Sequence, residues 1–331
     1  MSRSAHNGMA IAVAWPEFIG KQTGSWYDTP MRWLGFNKNF HYKVGHAALI
    51  LADRNTGECL YFDCGRYHAP YQYGRIRDAV TDENLTIRTR ARITGDTIAN
   101  FEEILNEIQQ NRSSLGTGKL YAAYCPIDIN AAFNKIRALQ AQGAVLFGPF
   151  VLNGTNCCRF VRTGILAGKP PLKYQLLLRY AWLFKPMPIS NVNFLSHKTI
   201  ISTLEAGSAN ESASRPAHAP TMVYTRENVR NTLPAPPKTA NIPNDSQWLS
   251  GEVAGSWFCL QPSGKIYQIT RYSREGGVEC SGKFKLAGNR DFDVKKPYQF
   301  THLSHCSRIA VRQGNEVILF QRLEETVSPD H

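Results

Sequence analysis

The sequence predicts an α+β protein in two folded parts joined by a linker. Three observations carry this. Residues 43–65 read as two strands returning on each other around a turn at 53–57. Residues 96–142 supply two amphipathic helices with a short strand between them. Beyond a stretch at 204–246 rich in Ala, Ser, Asn, Thr and Pro, the chain reads as short strands separated by turns. The expected division is a first part over 1–203, the linker, a small antiparallel β domain over 247–325, and a tail over 326–331.

The chain has 331 residues, enough for one sizeable core and a smaller unit. Near the N-terminus a short apolar stretch, Met9 to Ala14, is ended by Trp15-Pro16-Glu17, too soon for a signal peptide. No run is long enough to span a bilayer, and cytoplasmic residence is the expectation. Residues 9–42 are rich in aromatics, among them Trp15, Trp26, Tyr27 and Trp33, with a short helix expected at 25–34. Packing on the main sheet accounts for these rings; the wall of a substrate groove is the other reading.

The strand at 43–51 begins Lys43-Val44-Gly45-His46, and the returning strand at 58–65 contains Asp63. In a hairpin turning at 54–56, His46 and Asp63 lie near each other, so Asp63 can orient the imidazole. A polar, aromatic loop over 66–77 follows. Arg66, Arg75 and Arg77 in it can receive an anionic group, and Tyr67 and His68 stand beside them. A strand is expected at 85–89, an amphipathic helix at 96–109, a strand at 119–124 and a second helix at 129–142.

The chain then reaches Gly154-Thr155-Asn156-Cys157-Cys158-Arg159-Phe160-Val161. Asn156 is a helix-capping residue, which puts Cys157 and Cys158 in the first turn. A thiol there faces the positive end of the helix dipole, beside backbone N–H groups that can hold an oxyanion. Buried structural thiols are the competing reading of the pair. An apolar, aromatic segment at 172–184 is expected to be a buried packing helix; peripheral contact with a membrane surface, which its basic neighbours would favour, is the alternative. In the C-terminal part, strands are expected at 255–261, 265–272, 278–286, 307–312 and 316–322, with no catalytic constellation among them. An extended segment at 222–224 is a further expectation within the linker.

A histidine opening a strand after glycine, a polar residue on the next strand, and Asn-Cys opening a helix resemble the circularly permuted NlpC/P60 papain-like superfamily, which includes lecithin–retinol acyltransferase-like and YiiX-like proteins. The superfamily's Asn-Cys-x-x-Phe-Val pattern stands here as Asn156 to Val161. The resemblance implies Cys157 as nucleophile, His46 as its base and Asp63 as the third member. Where the acyltransferase branch favours a second histidine, this chain has aspartate, with His68 the nearest alternative. Most of the chain also resembles a bacterial family of unknown function, DUF6695, through Lys43 to Ala47, Gly65 to Pro70 and Asn153 to Cys157.

The function expected from these readings is cysteine-dependent hydrolysis of an amide, peptidase- or amidase-like, through a thioacyl-enzyme. Thiol acyl transfer or lipid ester hydrolysis is one alternative, and a binding module that retains the fold is the other. Candidate substrate-binding residues are Trp26, Arg66, Tyr67, His68, Arg75 and Asn156. Eight cysteines occur without a CxxC pair, so neither a metal site nor a cofactor is expected. The net charge of +12 comes from 38 basic against 26 acidic residues, and the basic ones are dispersed and form no nucleic-acid module. The expected partner is a peptide-like or acylated small molecule, with an anionic portion.

Overall fold

The computed structural model describes residues 6–22, 24–181, 187–202, 233–288 and 290–323. The chain divides into two units. The first comprises the described residues of 1–65, 72–79 and 84–231; the second comprises those of 66–71, 80–83 and 232–331. The segments 66–71 and 80–83, which the sequence boundary assigns to the first part, therefore fold with the second.

The strands and helices of the first unit, in chain order, are β1 (Gly8–Trp15), β2 (Ile19–Lys21), α1 (Asp28–Trp33), β3 (Asn37–Lys38), β4 (His41–Lys43), β5 (His46–Asp53), β6 (Cys59–Gly65), β7 (Tyr73–Arg77), β8 (Ile93–Thr94), β9 (Thr97–Ile98), α2 (Phe101–Gln110), β10 (Leu120–Ile127), α3 (Ile129–Gln140), β11 (Val145–Leu146), α4 (Cys157–Ala167), α5 (Leu172–Leu176), α6 (Pro188–Asn193) and β12 (Ser196–Ile201). Seven strands make one sheet in the order β11-β7-β6-β5-β1-β10-β12, with every pairing antiparallel.

β1, inside the sheet between β5 and β10, is the short apolar run near the N-terminus of the sequence. All eight of its residues are buried. A strand covered on both faces has no polar side, so it lacks the alternation that marks a strand in sequence. Alternate residues feed two cores. Ala10, Ala12 and Ala14 join Leu49, Phe62, Phe160, Val161 and Ile165 on one face. Met9, Ile11, Val13 and Trp15 join Ile50, Tyr61, Ile104 and Leu105 on the other. The many alanines on the first face let α4 approach closely. Gly164 in α4 sits so near β5 that an added Cβ would lie 2.4 Å from Leu49 Cδ2.

Other expectations need correction. No strand forms at 85–89: a 3₁₀ turn occupies Glu83–Leu85, and Glu107 takes the backbone N–H groups of Arg88 and Thr89. The helix expected at 96–109 starts at Phe101, because Thr97–Ile98 pairs with Ile93–Thr94 as a small hairpin. The segment at 172–184 is α5 followed by a π turn at Leu177–Ala181, while Trp182 and Leu183 lie outside the described residues. The extended segment expected at 222–224 also lies outside them. Residues 66–77 are not one loop, since 73–77 form β7.

The second unit holds β13 (Gln247–Leu249), β14 (Ser256–Ser263), β15 (Ile266–Tyr272), β16 (Val278–Leu286), β17 (Gln299–Phe300), β18 (Arg308–Gln313) and β19 (Glu316–Arg322). They form one antiparallel sheet in the order β13-β14-β15-β16-β19-β18-β17. The sheet nearly closes: Gln247 on one edge strand donates to Tyr298 O at 3.1 Å and accepts from Phe300 N–H on the other. Curling in this way protects both edges and encloses Phe258, Phe284, Phe300, Val311 and Phe320.

Candidate active site

The nucleophile candidate is set by a helix cap. Asn156 is extended, and its side-chain oxygen accepts from Arg159 N–H at 2.9 Å, which starts α4 at Cys157. Successive helix positions lie about 100° apart, so the two thiols point differently. Cys158 turns inward and is 2% exposed. Its Sγ donates to Asn156 Oδ1 at 3.2 Å, its carbonyl accepts from Asn191 Nδ2 at 2.9 Å, and burial pushes its thiol well up. Cys157 remains half-buried at the edge of the first core.

The histidine is set by a glycine. Gly45 has φ +71°, and a Cβ there would meet Trp15 O and Pro16 Cα at 3.1 and 3.2 Å. Only a residue without a side chain lets the chain bend into β5 at that point. His46 then pairs in register with Trp15 and stacks on its indole, the ring centroids 5.7 Å apart and the planes 17° from parallel. Phe18 covers the imidazole at 5.5 Å, leaving His46 3% exposed. The imidazole is pushed up to about 9. Burial opposes this; hydrogen bonding and charge from Asp63 and Cys157 more than offset it. The sulfur and the carboxylate thus both act on one ring.

Asp63 lies on β6 across from Ala48 of β5, two residues along from His46. It is fully buried, and its Oδ2 stands 3.6 Å from His46 Nε2, a loose ion-pair distance. Its tight partners are elsewhere. Arg77, opposite it on β7, donates from Nε to Oδ1 at 2.9 Å and from Nη2 to Oδ2 at 2.6 Å. Tyr61 OH donates to Oδ2 at 3.1 Å. Burial raises the Asp63 carboxyl, but the charge of Arg77 and the hydrogen bonds from His46 and Arg77 outweigh it and hold it below the usual carboxylate range. A bidentate arginine also fixes the plane of the carboxylate, and so the direction from which the imidazole is held.

The structure therefore brings together Cys157, His46 and Asp63, with Asn156 as the cap. Sequence reasoning missed the parts played by Arg77 and Tyr61. Their signal was period two: Tyr61 and Asp63 share a face of β6, and Arg77 stands at Asp63's partner position on β7. The other expected binding residues are placed differently. Arg66, Tyr67 and His68 belong to the second unit and are buried there. Arg66 is ion-paired with Glu252, and His68 Nε2 is 2.6 Å from Ser256 Oγ. The Ser256 hydroxyl donates to Glu279, which is also paired with Arg271. Arg75 is buried on β7. Trp26 is 77% exposed and touches Tyr27 and Phe150. The N-terminal aromatics divide accordingly: Trp15, Tyr27 and Tyr42 are buried, while Trp26, Trp33 and Phe36 are exposed.

Among the described residues no helix is long and apolar enough to cross a membrane. Residues 10–173 match the family model described as type VI secretion system effector TseH-like, a span that includes His46, Asp63 and Cys157. Residues 246–323 match the model of the DUF6695 C-terminal domain. Among solved structures, the chain is similar to a crystal structure of the type VI secretion system effector TseH, at 18% identity and a TM-score of 0.32, over 50% of this chain and 79% of that one. Nothing among curated proteins matches.

Proposed function

We propose that the chain is a cysteine-dependent amide hydrolase whose catalytic unit is of the permuted NlpC/P60 papain-like type. What supports this reading is the convergence of the half-buried Cys157, at the first position of a capped helix, with an imidazole that feels both that sulfur and a buried carboxylate. With the proton on His46, the Cys157 thiolate attacks the amide carbonyl carbon and a C–S bond forms. The oxyanion is received at the α4 N-terminus, where first-turn N–H groups lack partners within the helix. Collapse breaks the C–N bond, and His46 hands its proton to the departing amine. Water then attacks the thioacyl carbon, giving a proton to His46; the C–S bond breaks, releasing the acid and restoring the Cys157–His46 pair. An acceptor nucleophile in place of water would make the same site an acyltransferase.

Asp63 acts here by fixing the imidazole and favouring its charged form, and Asn156 by starting the helix. The test is trapping of the thioacyl-enzyme. Activated acyl amides and esters are offered to the protein, and the adduct is mapped by mass spectrometry. An adduct on Cys157 that hydroxylamine releases, absent in Cys157→Ala and slowed at least about a hundredfold in a folded His46→Ala, is the expected result. No adduct with any scaffold would leave the binding-module alternative standing.

The description of the family matched by residues 10–173 supports a second part of the proposal, that the chain serves as a type VI secretion effector. Such a role would replace the cytoplasmic residence expected from the sequence with secretion. Loss of the chain from culture supernatant when the secretion apparatus is inactivated is the expected outcome; its unchanged absence or presence would oppose the role.

A further inference from the structure

An apolar surface beside α4 takes no part in the steps above. The loop leading into Asn156 is closed on itself: Thr155 N–H donates to Leu146 O at 2.8 Å, and Gly148 N–H to Thr155 O at 2.9 Å. Arg159, in the first turn of α4, donates to Val151 O at 3.0 Å and so ties the loop to the helix start. On this loop Phe150 is 59% exposed and Leu152 86% exposed. Phe150 meets Tyr27 edge-on at 5.2 Å and Trp26 at 6.4 Å. Large apolar groups from two segments far apart in sequence are thus held together in water. Leaving such area exposed forgoes about 25 cal/mol per Å² of burial, and a cluster of this kind marks a binding surface.

The basic side chains that would favour an anionic substrate are used otherwise. Arg66 is committed to Glu252 and Arg77 to Asp63, and Arg75 is buried. Asp28, the acidic group nearest the cluster in sequence, is buried and accepts from Tyr42 OH at 2.6 Å.

We infer that Trp26, Phe150 and Leu152 form a subsite for a neutral apolar group, an aromatic or branched aliphatic side chain, flanking the scissile amide. This rests on Cys157 being the nucleophile. The rings offer broad, pre-positioned area at small cost in side-chain entropy, and Arg159 keeps the loop from collapsing away from the helix. The group bound there sits on the same loop–helix element as the attacking sulfur, so its binding energy bears on the placement of the carbonyl.

The test uses three chloromethyl ketones of peptide type, bearing a phenylalanine-like, a glutamate-like or a long acyl group. Each alkylates the sulfur with loss of chloride. Iodoacetamide reports the reactivity of the thiol itself. Rates of Cys157 adduct formation are measured by mass on the full chain and on Trp26→Ala and Phe150→Ala variants. The expected result is labelling by the phenylalanine-like probe about tenfold or more faster than by the glutamate-like one. Each substitution should lower that rate about fivefold or more while the iodoacetamide rate stays unchanged. Equal rates for the three probes, a preference for the glutamate-like one, or indifference to both substitutions would overturn the subsite. Fastest labelling by the acyl probe would overturn its assignment to a side chain. Failure of iodoacetamide to modify Cys157 would instead sink the nucleophile reading, and the subsite with it.

Discussion

Replacing Arg77 by methionine removes the tight partner of a buried carboxylate while keeping the length of the side chain. Asp63 is 0% exposed, and the two guanidinium contacts are at 2.9 and 2.6 Å. Breaking a buried ion pair from one side leaves an uncompensated charge and costs about 3–5 kcal/mol. The loss should depend on pH. In the native chain the Asp63 carboxyl is held below its ordinary value, so its contribution is present above that ordinary value and fades as pH falls through the lowered one. In Arg77→Met the burial that raises the carboxyl remains and its largest opposing influence is gone. Asp63 then takes up a proton on folding, and the deficit of the variant shrinks as the solution is acidified. Urea unfolding followed by circular dichroism, at neutral pH and near pH 4, measures both quantities. The double variant Arg77→Met/Asp63→Asn should recover most of the loss, because no charge is left buried. A deficit below about 1 kcal/mol at neutral pH, or one equal at the two pH values, would refute an ionised, arginine-held Asp63.

Three further outcomes follow from the same geometry. The His46 imidazole is raised to about 9, so its contribution to stability is full below the unfolded value near 6.5 and lost as pH rises through about 9; relative to His46→Gln, the native chain should lose roughly 3 kcal/mol of its advantage over that window, read from urea midpoints. Limiting alkylation with peptide mapping should modify Cys157 well ahead of Cys158, since the latter is 2% exposed with its thiol pushed well up; preferential modification of Cys158 would reverse the assignment. Gly164→Ala forces a methyl to 2.4 Å from Leu49 Cδ2 and should cost about 1–3 kcal/mol in thermal unfolding, with slower labelling of Cys157 as α4 is pushed off β5.

Two features of the site were legible in the sequence because they are local. Asn156 caps the helix it precedes, so its neighbours fix the positions of Cys157 and Cys158 without help from the rest of the fold. His46 and Asp63 come together through one hairpin, whose register follows from the turn at 53–57 and the two-residue period of its strands. Of the five strands expected in the C-terminal part, four are joined in pairs by tight turns, between β14 and β15 and between β18 and β19, a signal that is likewise local.

Tertiary structure decided the rest. The interior strand β1 had no polar face to betray it, because a hydrophobic core packs on each of its two faces. Three arginines in 66–77 read alike as candidates for an anion, yet one turned into the second unit, one met Asp63 across β6 and β7, and one was buried on β7. Which of them reaches a substrate depends on pairings made by segments as far off as Glu252, a separation that local pattern does not carry. Sequence by itself determined the chemistry present at the helix start and hairpin, since cap and register act over a few residues. The fold determined which charges were spent in burial and which rings stayed in water, because burial depends on what the whole chain brings alongside.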